Sequence, residues 1–158
     1  DEPDDREAGR EETAMRIVPV YGVALARDSS IKVADRSADS PVAVVEILRA
    51  HIGNVDREHF VALFVNARNQ IIGVNTVSIG TLSASLVHPR EIYKPAILIS
   101  AAAVIIGHNH PSGDQQPSAE DKATTRRLVQ AGQLLGIPIL DHIIIGEGHF
   151  SFKESGLL

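Results

Sequence analysis

Residues 102–108 (AAVIIGH) run apolar without a polar break until the closing histidine, and this run constrains the fold more than any other feature. A strand with one face in water alternates apolar and polar side chains, whereas a strand with no such alternation is covered on both faces. Residues 137–145 (IPILDHIII) read as a second buried strand, apolar except for Asp141 and His142. Two doubly covered strands need a layer on each side, which predicts an α/β domain with a central sheet flanked by helices. Aromatic residues are only 4% of the chain and Trp is absent, so Val, Ile, Leu and Ala must fill those layers.

The remaining elements follow from local signals. Residues 16–27 (RIVPVYGVALAR) look extended, and Pro19 confines them to a sheet edge if they form a strand. Residues 28–38 read as loop. Ser40 and Pro41 open a helix as cap and first helical residue; Val44, Val45, Ile47, Leu48 and Ile52 give it an apolar stripe, and Gly53 ends it. Residues 59–66 and 71–79 form a hairpin about the turn at 67–70, and Gly80 breaks the second strand. Pro89 begins a helix that reaches about Ser100. Ser118 caps another, which runs to about Leu135 and stops at Gly136. Residues 149–152 form a short last strand after the Gly146–Gly148 turn.

The first fourteen residues hold Asp1, Glu2, Asp4, Asp5, Glu7, Glu11 and Glu12 and little apolar material, which predicts a disordered acidic tail. Residues 15–158 are then one domain. The net charge of -5 argues against direct nucleic-acid binding, because phosphate backbones demand a positive surface. Arg126 and Arg127 are the candidates for a local basic patch. With no cysteine, disulfides and thiolate metal sites are excluded, so any metal must be held by His and carboxylates. No apolar run reaches the ~18 residues of a membrane span and no leader with a basic start is visible, so the expected location is cytoplasmic.

The chemistry concentrates after the first buried strand. His108 and His110 are two apart at its end, so both imidazoles project to one side. Pro111 stops the strand there, at the C-terminal edge where α/β sheets usually build sites. The polar turn 112–117 reverses the chain and brings back the next helix, with Asp121 in its first turn. Ser118-x-x-Asp121 alone would be a capping box, and a first-turn carboxylate suits the helix dipole. Two histidines and one carboxylate together are the ligand set of a catalytic zinc site, with a fourth position left to water. Zinc there would bring that water towards a pKa of about 7 and polarise a substrate carbonyl. Asp141 and His142 alternate on the second buried strand, and one of them is a candidate to support the ligands from behind. The adjacent letters HNH do not make a nuclease motif, whose residues are scattered through a ββα unit.

His108-Asn109-His110-Pro111, six residues, Ser118, two residues and Asp121 match without gaps the H-x-H-P-x6-S-x2-D pattern of the JAMM (JAB/MPN-type) metalloproteases. From about His59 to Leu158 the chain also resembles the bacterial RadC family, once called DNA-repair proteins, through GTLSASLVHPREIYKPA, HNHPSG and LLGIPILDHIIIG. The resemblance implies a JAB/MPN-type mixed β-sheet flanked by helices, related in layout to cytidine deaminases. It implies zinc on His108, His110 and Asp121, and a hydroxyl at Ser118 that stabilises an oxyanion. The implied activity is hydrolysis of a peptide or isopeptide amide in a peptide or protein substrate.

The chain departs from that family in two places. The helix-hairpin-helix-like region with which many RadC relatives begin is not expected within these residues. JAMM enzymes also use a Glu on an upstream strand followed shortly by Gly, and RadC relatives read E-T-I-x-I-G there. This chain has Asn75-Thr76-Val77-Ser78-Ile79-Gly80. Asn75 can hydrogen-bond a water but cannot take its proton, and loss of a general base costs about 10²–10⁴-fold in rate. Glu91, after His88-Pro89-Arg90, is a candidate substitute, although a first-turn carboxylate has a plainer role on the helix dipole. The alternative expectation is a catalytically idle zinc module in DNA repair or protein interaction. A deaminase-like activity ranks last, because such sites pair their first ligand with a P-C-x-x-C element.

Overall fold

The structure is a computed structural model that describes residues 13–80 and 87–158. Five strands form one sheet in the order β2-β1-β3-β4-β5: β1 is His59–Val65, β2 Ile71–Ile79, β3 Ala103–Asn109, β4 Ile139–Ile145 and β5 His149–Ser151. Only β3 and β4 run parallel; the other neighbours are antiparallel. Helix α1 (Pro41–Ile52) covers one face, and α2 (Pro89–Leu98) and α3 (Ala119–Leu135) cover the other.

The period-2 alternation of β1 and β3 divides their side chains between two cores. Val61, Leu63, Ala103 and Ile105 pack under α1 with Val44, Ile47 and Leu48. Phe60, Ala62, Val104 and Ile106 pack under α2 and α3 with Ile92, Tyr93 and Leu128. Every residue of β3 is buried, as its unbroken apolar run requires.

The helix ends lie where the punctuation residues put them. Ser40 accepts from the Ala43 amide at 3.2 Å with Pro41 in the first turn, and Gly53 follows the last turn. Gly136 ends α3 in the left-handed conformation, at φ 71°, that glycine adopts without steric cost. Elsewhere on α3, Gly132 lets the helix pass against Tyr93 and the Ile137 carbonyl.

One expected element is corrected. Residues 16–27 are not a strand: the sheet ends at β2 and β5, and among the described residues the segment pairs with neither. Its side chains, such as Ile17 and Val20, stand almost fully exposed. An extended run becomes a strand only when an edge accepts its amides, and Pro19 removes one of those. Residues 1–12 of the expected acidic tail lie outside the described residues. No helix among the described residues is long and apolar enough to cross a membrane.

Candidate metal centre

His108 projects from the C-terminal end of β3 on the face covered by α2 and α3, and is fully buried. His110, just past the strand, is half-buried. Asp121 arrives from the opposite direction as the third residue of α3 and is 3% exposed, a burial that an unpartnered carboxylate would not tolerate. Its partners are the two histidines. His108 Nε2 lies 3.3 Å from Asp121 Oδ1, His110 Nε2 lies 3.3 Å from Asp121 Oδ2, and the two Nε2 atoms are 2.9 Å apart.

One ligand atom from each of the three residues lies within 4.8 Å of the others, close enough for all three to reach one ion. The donors suit it as well. His110 Nδ1 donates to the Asp114 carbonyl at 2.7 Å, which leaves Nε2 as the atom offered to the centre. Among the described residues His108, His110 and Asp121 are the group that could hold a metal ion.

Electrostatics agree with the geometry. Burial alone would raise the Asp121 carboxyl, but the His108 and His110 imidazoles against it and the Ser118 amide hold it well below the usual carboxylate range. His110 is raised, first by its hydrogen bond with Asp121 and then by the Asp114 carbonyl and the charges of Asp121 and Glu58, against the opposing effect of burial.

Ser118 and Asp121 form the capping box as well. Ser118 Oγ accepts from the Asp121 amide at 3.0 Å, and Asp121 Oδ2 accepts from the Ser118 amide at 2.8 Å. The plain structural role and the chemical one therefore coexist: the cap fixes the carboxylate, and the exposed Ser118 hydroxyl keeps its own proton to donate.

The structure divides the other candidates. His142 lies behind His108, with its Nε2 2.7 Å from His108 Nδ1. Asp141 points to the other face, where it accepts from Ser151 Oγ at 2.6 Å and from the Lys153 amide at 3.0 Å, clasping β4 to the C-terminal segment. Glu91 turns outward to Lys94 at 3.2 Å and Arg90 at 3.7 Å, a surface cluster apart from the histidines. Asn75 is exposed on β2, opposite Ala62, which is itself opposite Ile106. Two strand spacings, about 10 Å, therefore separate its backbone from β3. Arg126 and Arg127 are exposed on α3.

A carboxylate overlooked in the sequence stands closer. Phe60 pairs with His108, and one further same-face step along that antiparallel register brings Glu58 across from His110. Its main chain is held there: Asn109 Oδ1 accepts from the His59 amide at 2.6 Å, Asn109 Nδ2 donates to the Arg57 carbonyl at 2.9 Å, and the Gly80 amide donates to the Glu58 carbonyl at 2.8 Å. The signal available in the sequence was an acid directly before the first buried strand, but its meaning depends on that strand lying antiparallel beside β3.

Comparison with known proteins adds to this. Residues 38–157 match the family model described as a RadC-like JAB domain. A UPF0758 protein of Rubrobacter xylanophilus is 56% identical over 119 residues, which are 75% of this chain and 52% of that protein. One of Symbiobacterium thermophilum is 55% identical over 120 residues, covering 75% and 51%. One of Methanosarcina mazei is 43% identical over 146 residues, covering 92% and 64%. The chain thus spans about half to two thirds of the length of these relatives.

Proposed function

The chain belongs to the RadC-like JAB domain family, and from that membership we propose that it is a zinc-dependent hydrolase of peptide or isopeptide amide bonds, with Glu58 as its proton-transfer residue. The observation that carries this reading is the convergence of His108 Nε2, His110 Nε2 and the Asp121 carboxylate on one point, beside a carboxylate whose main chain is clamped.

Zinc bound there supplies Lewis acidity, acidifying water towards a pKa of about 7 and polarising a carbonyl oxygen. Glu58 accepts a proton from the attacking water and returns it to the amide nitrogen as the C–N bond breaks, leaving a carboxylic acid and an amine. This is work that Asn75 could not do and that is worth about 10²–10⁴-fold in rate. Ser118 donates its hydroxyl proton to the oxygen that becomes negative when the carbonyl is attacked; one such donor is worth about 10²–10³-fold. Asp121 keeps the two histidines and Ser118 in register. The acidic balance of the chain favours a peptide over a nucleic acid as substrate, and a cytoplasmic setting accords with a cysteine-free chain.

The test is hydrolysis of a mixed peptide library and of isopeptide-linked lysine peptides by zinc-loaded protein, with products read by mass spectrometry. Wild type is expected to cleave, Glu58→Gln to bind zinc but lose at least 10²-fold, and Asn75→Glu to change little. Zinc binding with no cleavage of any probe would replace this reading with that of an idle zinc module.

A further inference from the structure

Behind His108, on the side away from Asp121, three buried groups form a line. His108 Nδ1 is 2.7 Å from His142 Nε2, His142 Nδ1 is 2.6 Å from Thr125 Oγ1, and Thr125 Oγ1 donates to the Asp121 main-chain carbonyl at 2.8 Å. The line starts on one ligand residue and ends on another.

We propose that Thr125 and His142 are positioning residues that fix the tautomer of His108, so that its Nε2 carries the lone pair that faces the metal. The argument counts protons. A hydroxyl has one, and a carbonyl can only accept. Thr125 commits its proton to the Asp121 carbonyl, so it meets His142 as an acceptor, and His142 Nδ1 must carry a proton. His142 is fully buried, with its ring stacked on Phe152 at 4.5 Å and edge-on to Phe60 at 5.7 Å. A cation so enclosed by aromatic rings and a hydroxyl is costly, which keeps the ring neutral with a single proton. His142 Nε2 is then a lone pair, and at 2.7 Å from it His108 Nδ1 must donate. The one proton of His108 is thereby placed on the nitrogen that faces away from Asp121. The reverse arrangement would put a proton where the ion belongs.

The loop also couples two elements. Asp121 binds through its side chain and orients Thr125 through its carbonyl, so α3 sets both the carboxylate ligand and the proton order of the ligand on β3. Thr125 lies one helical turn after Asp121 on the same face of α3, the spacing such a loop requires.

The inference rests on reading the site as a metal centre, so its test has two separate arms. In metal-free wild type, long-range 15N–1H correlation of the imidazoles reads the tautomers directly; both His142 and His108 are expected to carry their protons on Nδ1. In the second arm, zinc affinity is measured by competition with a chromophoric chelator. Thr125→Val keeps the side-chain shape but removes the acceptor, and is expected to weaken zinc binding about 10–100-fold. Thr125→Ser restores the hydroxyl and is expected to return affinity to within a few-fold of wild type. A His142 proton on Nε2 in wild type overturns the proposal, as does a folded Thr125→Val that binds zinc like wild type. If Thr125→Val does not fold, the tautomers of wild type decide. A wild type with both expected tautomers but no affinity for zinc would leave the proton order standing and remove the metal reading alone.

Discussion

Asn109 holds the main chain around Glu58 in place: its carboxamide bonds both sides of the acid, accepting from the His59 amide and donating to the Arg57 carbonyl. Asn109 sits between the two candidate histidine ligands, so one short segment carries two of the groups that could hold a metal and orders the neighbouring strand. Asn109→Ala removes these partners from a part-buried amide and carbonyl. The expected cost is about 0.5–1.5 kcal/mol per lost bond in urea unfolding. Zinc affinity should stay near wild type while cleavage falls with the loss of order at Glu58.

Asp121 is a candidate ligand and the reciprocal member of the capping box, and two substitutions separate those roles. Asp121→Asn keeps an oxygen able to accept from the Ser118 amide, so metal-free stability should change by less than about 1 kcal/mol, while chelator competition shows zinc weakened by an order of magnitude or more. Asp121→Ala should lose zinc equally and also the acceptor of the Ser118 amide, the reciprocal half of the capping box, at about 0.5–1.5 kcal/mol.

The raised pKa of His110 sets a pH dependence of opposite sign with and without metal. Its folded value lies above the unfolded 6.5, so its contribution to the metal-free fold is fully present below 6.5 and is lost as pH rises through the folded value. Asp121, held low, stays ionised throughout that window and adds no slope there. His142 and His51, both lowered by burial, add stability as pH rises through the unfolded value and so oppose this slope. The His110 contribution is therefore read as the difference in metal-free urea stability between wild type and His110→Asn, which should shrink from pH 6 to pH 8; a difference that grows over that range contradicts the assignment. Zinc affinity of wild type should rise over the same range, since binding displaces that proton.

Gly132 tests the packing that supports α3. A Cβ there would overlap Tyr93 and the Ile137 carbonyl, and backbone cannot yield as a flexible side chain does. Gly132→Ala should cost about 1–3 kcal/mol by thermal or urea unfolding. Tyr93 also donates to the Leu128 carbonyl at 3.0 Å, so the strain is expected to spread along α3 towards Thr125 and lower zinc affinity slightly.

The candidate ligand cluster was legible because it is local. His108 and His110 share a side through strand periodicity, and Asp121 returns within fourteen residues by way of a turn and a capped helix, all signalled by neighbouring letters. The buried strands, the helix caps and the hairpin were legible for the same reason, and the bounds of α1, β1 and β2 lie within a residue of their sequence signals. The segment 16–27 was misjudged because extended character is local whereas pairing is not.

Glu58, His142 and Thr125 belong to the other kind of information. Glu58 meets His110 only because β1 lies antiparallel beside β3 in the register Phe60↔His108, and His142 lies behind His108 only because β4 runs parallel on its far side. A single sequence carries the alternation within each strand but not the offset between strands, since shifting a register by two residues keeps every apolar side chain on its own face. Residue order by itself therefore determined which atoms could bind a metal. Which carboxylate stands beside them, and which groups set the protons of His108, was decided by strand pairing and helix docking in the tertiary structure.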